Sequence, residues 1–277
     1  MSVRRFLLDL DRRWIFLAVG IAVLIPLLVR IGFQIRPTPF AIAYEKAIED
    51  LPAGSVIYLA TDFDPGSMPE LYPMLVSSMQ QAFRKDLRVV SGSLWPAAPP
   101  LVDRAFEETG ARMGKRYGVD FVNLGFKEGR EAVMVRLGTS IPGTYPRDAR
   151  GNPVTALPVM RGIRNFDQIR LIVNISAGYP GTKEWVQQVR TRFDVPIVAG
   201  TTAVSAPEYY PYVQAGQLQG LLGGLAGAAE YEELLGTEGD AVRGMDAQSL
   251  GHLVILLFII AGNVLAWTGR RKPGESR

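Results

Sequence analysis

Two long apolar runs stand near the ends of the chain. The first covers residues 14–35 and has Arg30 as its only charged residue; the second covers residues 250–268, where His252 and Asn263 are the clearly polar side chains. About 20 apolar residues are needed for a helix to cross the hydrocarbon layer of a bilayer. The pattern therefore predicts two membrane-spanning helices, with a domain of ordinary polarity between them over residues 37–248.

Within that domain, short apolar runs alternate with segments of helical spacing. Nearly continuous apolar strands separated by helices are typical of a parallel sheet that is covered on both faces. The pattern predicts an α/β domain with a Rossmann-like, doubly wound, mostly parallel five-stranded sheet. Thr38 and Pro39 predict the start of its first helix, as a capping residue and a first helical proline. The predicted strands cover residues 56–60, 87–90, 121–124, 169–175 and 195–199.

Two segments depart from this alternation. Residues 138–168 form an insert rich in proline, glycine and arginine, which we interpret as a lid over an anionic ligand, a surface for lipid headgroups or a partner, or a solvated loop. Residues 213–235 carry small residues at four-residue spacing, which predicts a helix built for close packing. The alternatives are that this helix packs against the sheet of its own domain, against another subunit or against the membrane surface. The predicted interface residues are Gly216, Gly220, Gly224, Gly227 and Ala228.

Charge next to the apolar runs predicts the orientation in the membrane. Basic residues in the terminal segments 1–13 and 269–277 place both ends in the cytoplasm and the domain on the outer side of the cell (inner) membrane. A signal-peptide cleavage site at residues 41–43 is the alternative, but it lies more than ten residues beyond the apolar core, so an uncleaved anchor is favoured. The net charge of +3 is explained by these basic flanks and does not indicate nucleic-acid binding.

Composition narrows the possible chemistry. The chain has no cysteine and a single histidine, His252. Disulfides, thiolate nucleophiles and a zinc site built on cysteine or imidazole ligands are therefore excluded. Carboxylate-bound magnesium or calcium is the remaining metal chemistry. We expect no cofactor and no resident metal.

Small and hydroxyl residues follow every predicted strand. Ligands of doubly wound folds bind at the carboxyl ends of the strands, so these residues predict a site there. The segment after the fourth strand, where Gly181 or Thr182 opens a helix, is the best candidate to bind a small anion. The alternative is that these residues only make turns and caps. The candidate ligand-binding residues are Asp62, Asp64, Ser91, Asn174, Ser176, Gly178, Gly181, Thr182, Thr201 and Thr202.

The sequence Asp62-Phe63-Asp64 after the first predicted strand resembles the first motif of haloacid-dehalogenase-type phosphatases. The resemblance covers about a dozen residues and implies Asp62 as the nucleophile and Asp64 as the acid/base. It also implies a strand-end hydroxyl, from Ser91 or Ser176, and a lysine, Lys183. The acidic pair that holds magnesium in that family has no counterpart after the last predicted strand. The competing interpretation is that the two aspartates cap a turn before Pro65.

These observations lead to one functional prediction and two competing hypotheses. We expect a membrane-anchored, non-enzymatic ligand-sensing or scaffold subunit that forms a homo-oligomer or binds a membrane protein partner. The first competing hypothesis is a magnesium-dependent phosphohydrolase that uses Asp62 and Asp64. The second is a tethered solute-binding domain that resembles periplasmic binding proteins, with two lobes divided by the insert.

Overall fold

The computed structural model describes residues 11–29, 31–237 and 239–269. The chain forms two units, an α/β domain over residues 35–241 and a second unit made of the residues before and after it. The predicted cytoplasmic ends, 1–13 and 269–277, lie almost entirely outside the described residues. The orientation in the membrane therefore stays a prediction.

The domain is built on one parallel sheet in the order β3-β2-β1-β4-β5-β6. This is the strand order of doubly wound dinucleotide-binding folds. The predicted α/β class and parallel sheet are confirmed, but the sheet has six strands, not five. The strands are β1 (Val56–Asp62), β2 (Arg88–Ser93), β3 (Phe121–Phe126), β4 (Leu171–Ser176), β5 (Ile197–Thr201) and β6 (Gly220–Gly223).

Helices connect and cover the strands. The predicted start of the first domain helix is confirmed, because Thr38 Oγ1 accepts a hydrogen bond from the Ala41 amide at 3.3 Å and Pro39 opens the helix. The helices are α1 (Arg12–Leu28), α2 (Pro39–Glu49), α3 (Met68–Arg84), α4 (Ala98–Glu108), α5 (Arg130–Thr139), α6 (Ile141–Thr144), α7 (Thr182–Trp185, continued by a π-helical turn, Val186–Arg190, and by Thr191–Phe193), α8 (Ala206–Gln214), α9 (Gly224–Leu234) and α10 (Asp240–Gly269).

The sheet is covered on both faces. On one face, Tyr58 and Ala60 of β1 share a buried cluster with Trp185 of α7 and Tyr209 of α8. Residues of α5 and of the insert, including Phe166, complete that cluster. Helices α3 and α4, which follow β1 and β2, pack against each other, and α3 also contacts α9. The strand order reverses between β1 and β4, and the two halves of the sheet, β1–β3 and β4–β6, meet there.

The glycine-rich segment differs from its prediction. The single helix expected over residues 213–235 is instead the end of α8, a turn, strand β6 and helix α9. A Cβ atom on Gly220 would lie 2.3 Å from the Tyr44 amide nitrogen, because α2 packs directly on β6. Gly224 has a φ of +61°, which lets the chain turn from strand to helix.

The predicted interface row is consequently not one helix face. A Cβ atom on Gly227 would lie 2.9 Å from the Leu222 carbonyl carbon, so Gly227 also serves packing inside the domain. Gly216 lies in the turn before β6, and Ala228 is buried in α9. Of the three contacts considered for this segment, the structure favours packing within its own domain.

The predicted N-terminal span is wrong. Helix α1 has 17 residues, about 25 Å at 1.5 Å per residue, which is shorter than the roughly 30 Å hydrocarbon layer. The residues shortly after the helix bind a side chain of the C-terminal helix α10. The backbone amides of Ile31, Gly32 and Phe33 donate to the Asp246 carboxylate at 3.1, 2.9 and 3.1 Å.

Helix α10 is the one helix among the described residues that is long and apolar enough to cross a membrane, over Asp240–Trp267. Most of its large apolar side chains are exposed, as lipid contact would require, and one face that includes Val254, Phe258 and Leu265 is half-buried. Association with a membrane is therefore supported through α10. The exposed side chains include Leu253, Ile255, Leu256, Leu257, Ile259, Ile260, Val264 and Trp267.

We predict that Gly220→Ala destabilises the domain, because the added methyl group would collide with the backbone of α2 at Tyr44. Overpacking of this kind costs about 1–3 kcal/mol, so the melting temperature should fall by several degrees. Gly178→Ala is the matched control, since its Cβ would meet its nearest atom at 3.8 Å, an ordinary contact. Equal melting temperatures for the two variants, measured by circular dichroism, would contradict the close contact between α2 and β6.

Candidate functional site

Asp62, the last residue of β1, lies at the point where the two halves of the sheet meet. Its side chain is fully buried. The carboxylate accepts hydrogen bonds from the Leu94 amide at 2.7 Å, from Trp185 Nε1 at 2.8 Å and from Asn174 Nδ2 at 3.4 Å. Burial raises the pKa of Asp62 to about 7, although these three donors lower it. One carboxylate thus joins β1, the loop after β2, β4 and α7.

The other predicted residues of β4 and α7 extend this buried polar network. Thr182 Oγ1 donates to Asn174 Oδ1 at 2.7 Å, and the Thr182 amide donates to Ser176 Oγ at 3.2 Å. Gly181 fits tightly, because a Cβ atom there would lie 2.0 Å from the Gly178 carbonyl oxygen. These side chains hold the start of α7 against the end of β4. Their polar atoms are hydrogen-bonded to one another and not directed to a ligand.

The remaining predicted residues have local roles. Asp64 accepts from the Gly66 amide at 3.0 Å and caps a short helical turn. Ser91 Oγ donates to the Leu59 carbonyl at 3.0 Å inside the sheet. At the end of β5, Thr201 is buried and Thr202 Oγ1 donates to Ser205 Oγ at 3.0 Å. The structure therefore brings together Asp62, Asn174, Ser176, Gly181 and Thr182, and leaves the other residues outside that network.

A solvent-accessible groove lies beside this network, at the same edge of the sheet. It consists of two adjoining pockets of about 300 and about 400 Å³ that share Phe126, and we call it the carboxyl-edge groove. The first pocket is lined by Leu94, Trp95, Pro96, Phe126, Glu128, Gly129, Arg130, Tyr179 and Pro180. The second is lined by Leu124, Gly125, Phe126, Lys127, Tyr145, Pro146, Arg147, Asp148 and Ala149.

Hydrogen bonds fix the loops that form the groove. Trp95 Nε1 donates to the Pro180 carbonyl at 3.0 Å, which joins the loops after β2 and β4. The Lys127 amide donates to the Ser93 carbonyl at 2.9 Å, which joins the loops after β3 and β2. Leu94 lies in the groove and binds Asp62 through its amide. The buried network is therefore the support on which the groove is built.

The groove carries more available positive than negative charge. Lys127, Arg130 and Arg147 line it, against the acidic residues Glu128 and Asp148. No acidic side chain of the described residues forms an ion pair with any of the three cations. The carboxylate of Asp148 is already occupied, since it accepts from the Arg150 and Asn152 amides at 3.0 and 2.7 Å and from further side chains. An anion is the ligand that this arrangement favours.

The insert forms one wall of the groove and also covers the edge of the sheet. The Ala149 amide donates to the Asn123 carbonyl of β3 at 2.9 Å. The Arg150 guanidinium lies 3.6 Å from the centre of the Tyr117 ring. Of the arginines on which the predicted lid was based, Arg147 is the one that lines the groove; the others are Arg136, Arg150, Arg161 and Arg164.

The predicted residues lie at the carboxyl edge of the sheet, but they do not include the residues that line the groove there. Trp95, Phe126, Arg130 and Tyr179 were not among the candidates. All four lie at or shortly after the end of a strand, and three are aromatic. Large aromatic side chains next to strand ends, where small polar residues are usual for turns, are the signal that could have identified them.

Comparison of the chain with protein-family models, with curated proteins and with solved structures finds no match. Within residues 11–29, 31–237 and 239–269, no group of three or more histidine, cysteine, aspartate or glutamate side chains is arranged to hold a metal ion. The function must therefore be inferred from the groove and from the network beneath it.

We predict that Asp62 makes the stability of the domain depend on pH. Below about pH 4 the carboxyl group is protonated in both the folded and the unfolded state. As the pH rises, the unfolded chain ionises first, so stability falls until the pH passes the folded pKa of about 7. A difference of this size corresponds to at most about 4 kcal/mol.

The measurement is chemical unfolding of the wild-type protein and of Asp62→Asn between pH 4 and 8, followed by tryptophan fluorescence. The variant replaces an acceptor oxygen by an amide nitrogen, which cannot accept a hydrogen bond, and it should be less stable at low pH. The gap in unfolding free energy between the two proteins should narrow as the pH rises. A gap that stays constant across this range would show that Asp62 is ionised in the fold throughout.

Proposed function

We propose that this protein is a membrane-tethered ligand-binding domain, which senses a small anionic ligand in the carboxyl-edge groove. The observation that carries the proposal is the convergence of three strand-end loops around an open groove with unpaired cationic side chains. Open α/β sheets bind their ligands at this edge, next to the point where the strand order reverses. Helix α10 supplies the membrane tether.

A phosphohydrolase is less favoured by the geometry of Asp62. A nucleophilic carboxylate must come within about 3–3.5 Å of the phosphorus atom. The Asp62 side chain is instead fully buried, and both of its oxygens already accept hydrogen bonds from the protein. Asp64 caps a turn through the Gly66 amide and does not line the groove, so neither aspartate of the motif is placed to act on a substrate there.

A two-lobed solute-binding domain and a scaffold built on the glycine row also have less support. Two lobes would need the insert to divide two sheets, but β3 before it and β4 after it belong to the same sheet. A scaffold role through the glycine row is weakened because Gly220, Gly224 and Gly227 already make close contacts inside the domain. A homo-oligomer or a membrane protein partner stays a prediction.

We predict that inorganic phosphate stabilises the full-length protein in mild detergent. A ligand that is present at about 100 times its Kd adds about 2.7 kcal/mol to the free energy of unfolding. Arg130→Gln and Lys127→Gln should each remove much of this gain, because each deletes an unpaired charge that lines the groove.

Arg192→Gln is the matched control, because it removes an equal charge from an exposed residue that does not line the groove. It also corrects for the general stabilising effect of phosphate on folded proteins. A thermal shift that is the same in all four proteins would contradict anion binding at the groove.

A further inference from the structure

We propose that the ligand of the carboxyl-edge groove is an anion that carries a planar, apolar group, such as an aromatic carboxylate or an aryl phosphate. This inference rests on the proposed function and deepens it. The proposed function requires only that the ligand carry a negative charge. The further inference comes from the aromatic side chains in the first pocket of the groove and from the position of Arg130 beside them.

Three aromatic side chains from the ends of three different strands, or from the loops that follow them, meet in this pocket. Trp95 follows β2, Phe126 ends β3 and Tyr179 follows β4. Phe126 is 39% exposed and Tyr179 is 55% exposed, so both present apolar surface to solvent. Leu94, Pro96 and Pro180 complete the apolar part of the lining. Exposed aromatic residues that converge in one cavity are typical of a binding site for a ring.

The positive charge is placed at one side of these rings. The Arg130 guanidinium lies 5.2 Å from the centre of the Tyr179 ring. Tyr179 Oη also donates to Glu131 Oε1 at 2.7 Å, so two successive residues of α5 hold the tyrosine. A tyrosine ring does not neutralise a guanidinium, so Arg130 keeps its positive charge for a carboxylate or a phosphate.

The backbone of Arg130 supports a functional interpretation of this position. Its φ is +48°, in the left-handed region that an arginine adopts at a cost of about 1–2 kcal/mol. Arg130 opens the ten-residue helix α5, and its N-cap residue is Gly129, which has no side chain that could cap the first amides. Both residues line the pocket, so the free amides of this helix end and the guanidinium together favour a negative group there.

A pocket of about 300 Å³ is large enough for one aromatic ring with its anionic group. We expect the anion to bind at Arg130 and the start of α5, and the ring to pack against Trp95 and Phe126. Recognition would thus use two separate sets of residues, one for the charge and one for the ring. Substitutions can test the two sets independently.

The experiment compares phenyl phosphate with inorganic phosphate by isothermal titration calorimetry on the full-length protein in mild detergent. We expect phenyl phosphate to bind at least about ten-fold more tightly, because only it fills the aromatic part of the pocket. Phe126→Ala and Tyr179→Ala should weaken the affinity for phenyl phosphate about ten-fold and leave the affinity for inorganic phosphate nearly unchanged. Arg130→Gln should weaken both ligands.

Tyr210→Ala is the control for the loss of an exposed aromatic side chain elsewhere, and Arg192→Gln is the control for charge. Circular dichroism confirms that each variant is folded, and Tyr179, as the more exposed residue, serves if Phe126→Ala does not fold. Equal affinities for phenyl phosphate and inorganic phosphate would overturn the proposal that the ligand carries an aromatic group, but they would be consistent with anion binding at the groove. Binding of neither ligand would overturn the proposed function as well.

Discussion

The buried carboxylate of Asp62 is the interaction on which the rest of the domain depends. It lies where the strand order of the sheet reverses, and it accepts hydrogen bonds from the loop after β2, from strand β4 and from helix α7. A charged group that is removed from water is costly unless several donors satisfy it, so these elements are held in one arrangement around it. These hydrogen bonds fix the loops at the carboxyl edge of the sheet, and burial raises the pKa of the Asp62 carboxyl group.

The groove follows from that arrangement. Leu94 borders the groove and donates its amide to Asp62, and Trp95 donates a hydrogen bond to the Pro180 carbonyl in the loop after β4. Because the loops are fixed from below, aromatic side chains can stay exposed above them without collapsing into the core. A rigid support under an open, partly apolar surface is what a preorganised binding site requires.

Much of the fold was predictable, because the periodicity of buried strands and the capping of helices are local properties of the sequence. Strand β6 was missed because its two leucines lie among glycines whose four-residue spacing equally suits a helix. The hydrogen bonds from residues 31–33 to Asp246 join segments more than 200 residues apart, and no local pattern could indicate them. At the site, Asp62 and Asn174 were selected for their strand-end positions, and the structure places their side chains 3.4 Å apart. A strand-end position does not distinguish a buried side chain from one that lines a groove.

Hydrogen–deuterium exchange of the full-length protein, with and without phenyl phosphate, tests most directly whether the carboxyl-edge groove is the binding site. We expect slower exchange of the backbone amides in the three loops that line the first pocket, at residues 94–96, 126–130 and 179–181. The amides of α10 and of β6 should be unaffected. Protection that appears elsewhere in the domain but not in these loops would contradict binding at the groove.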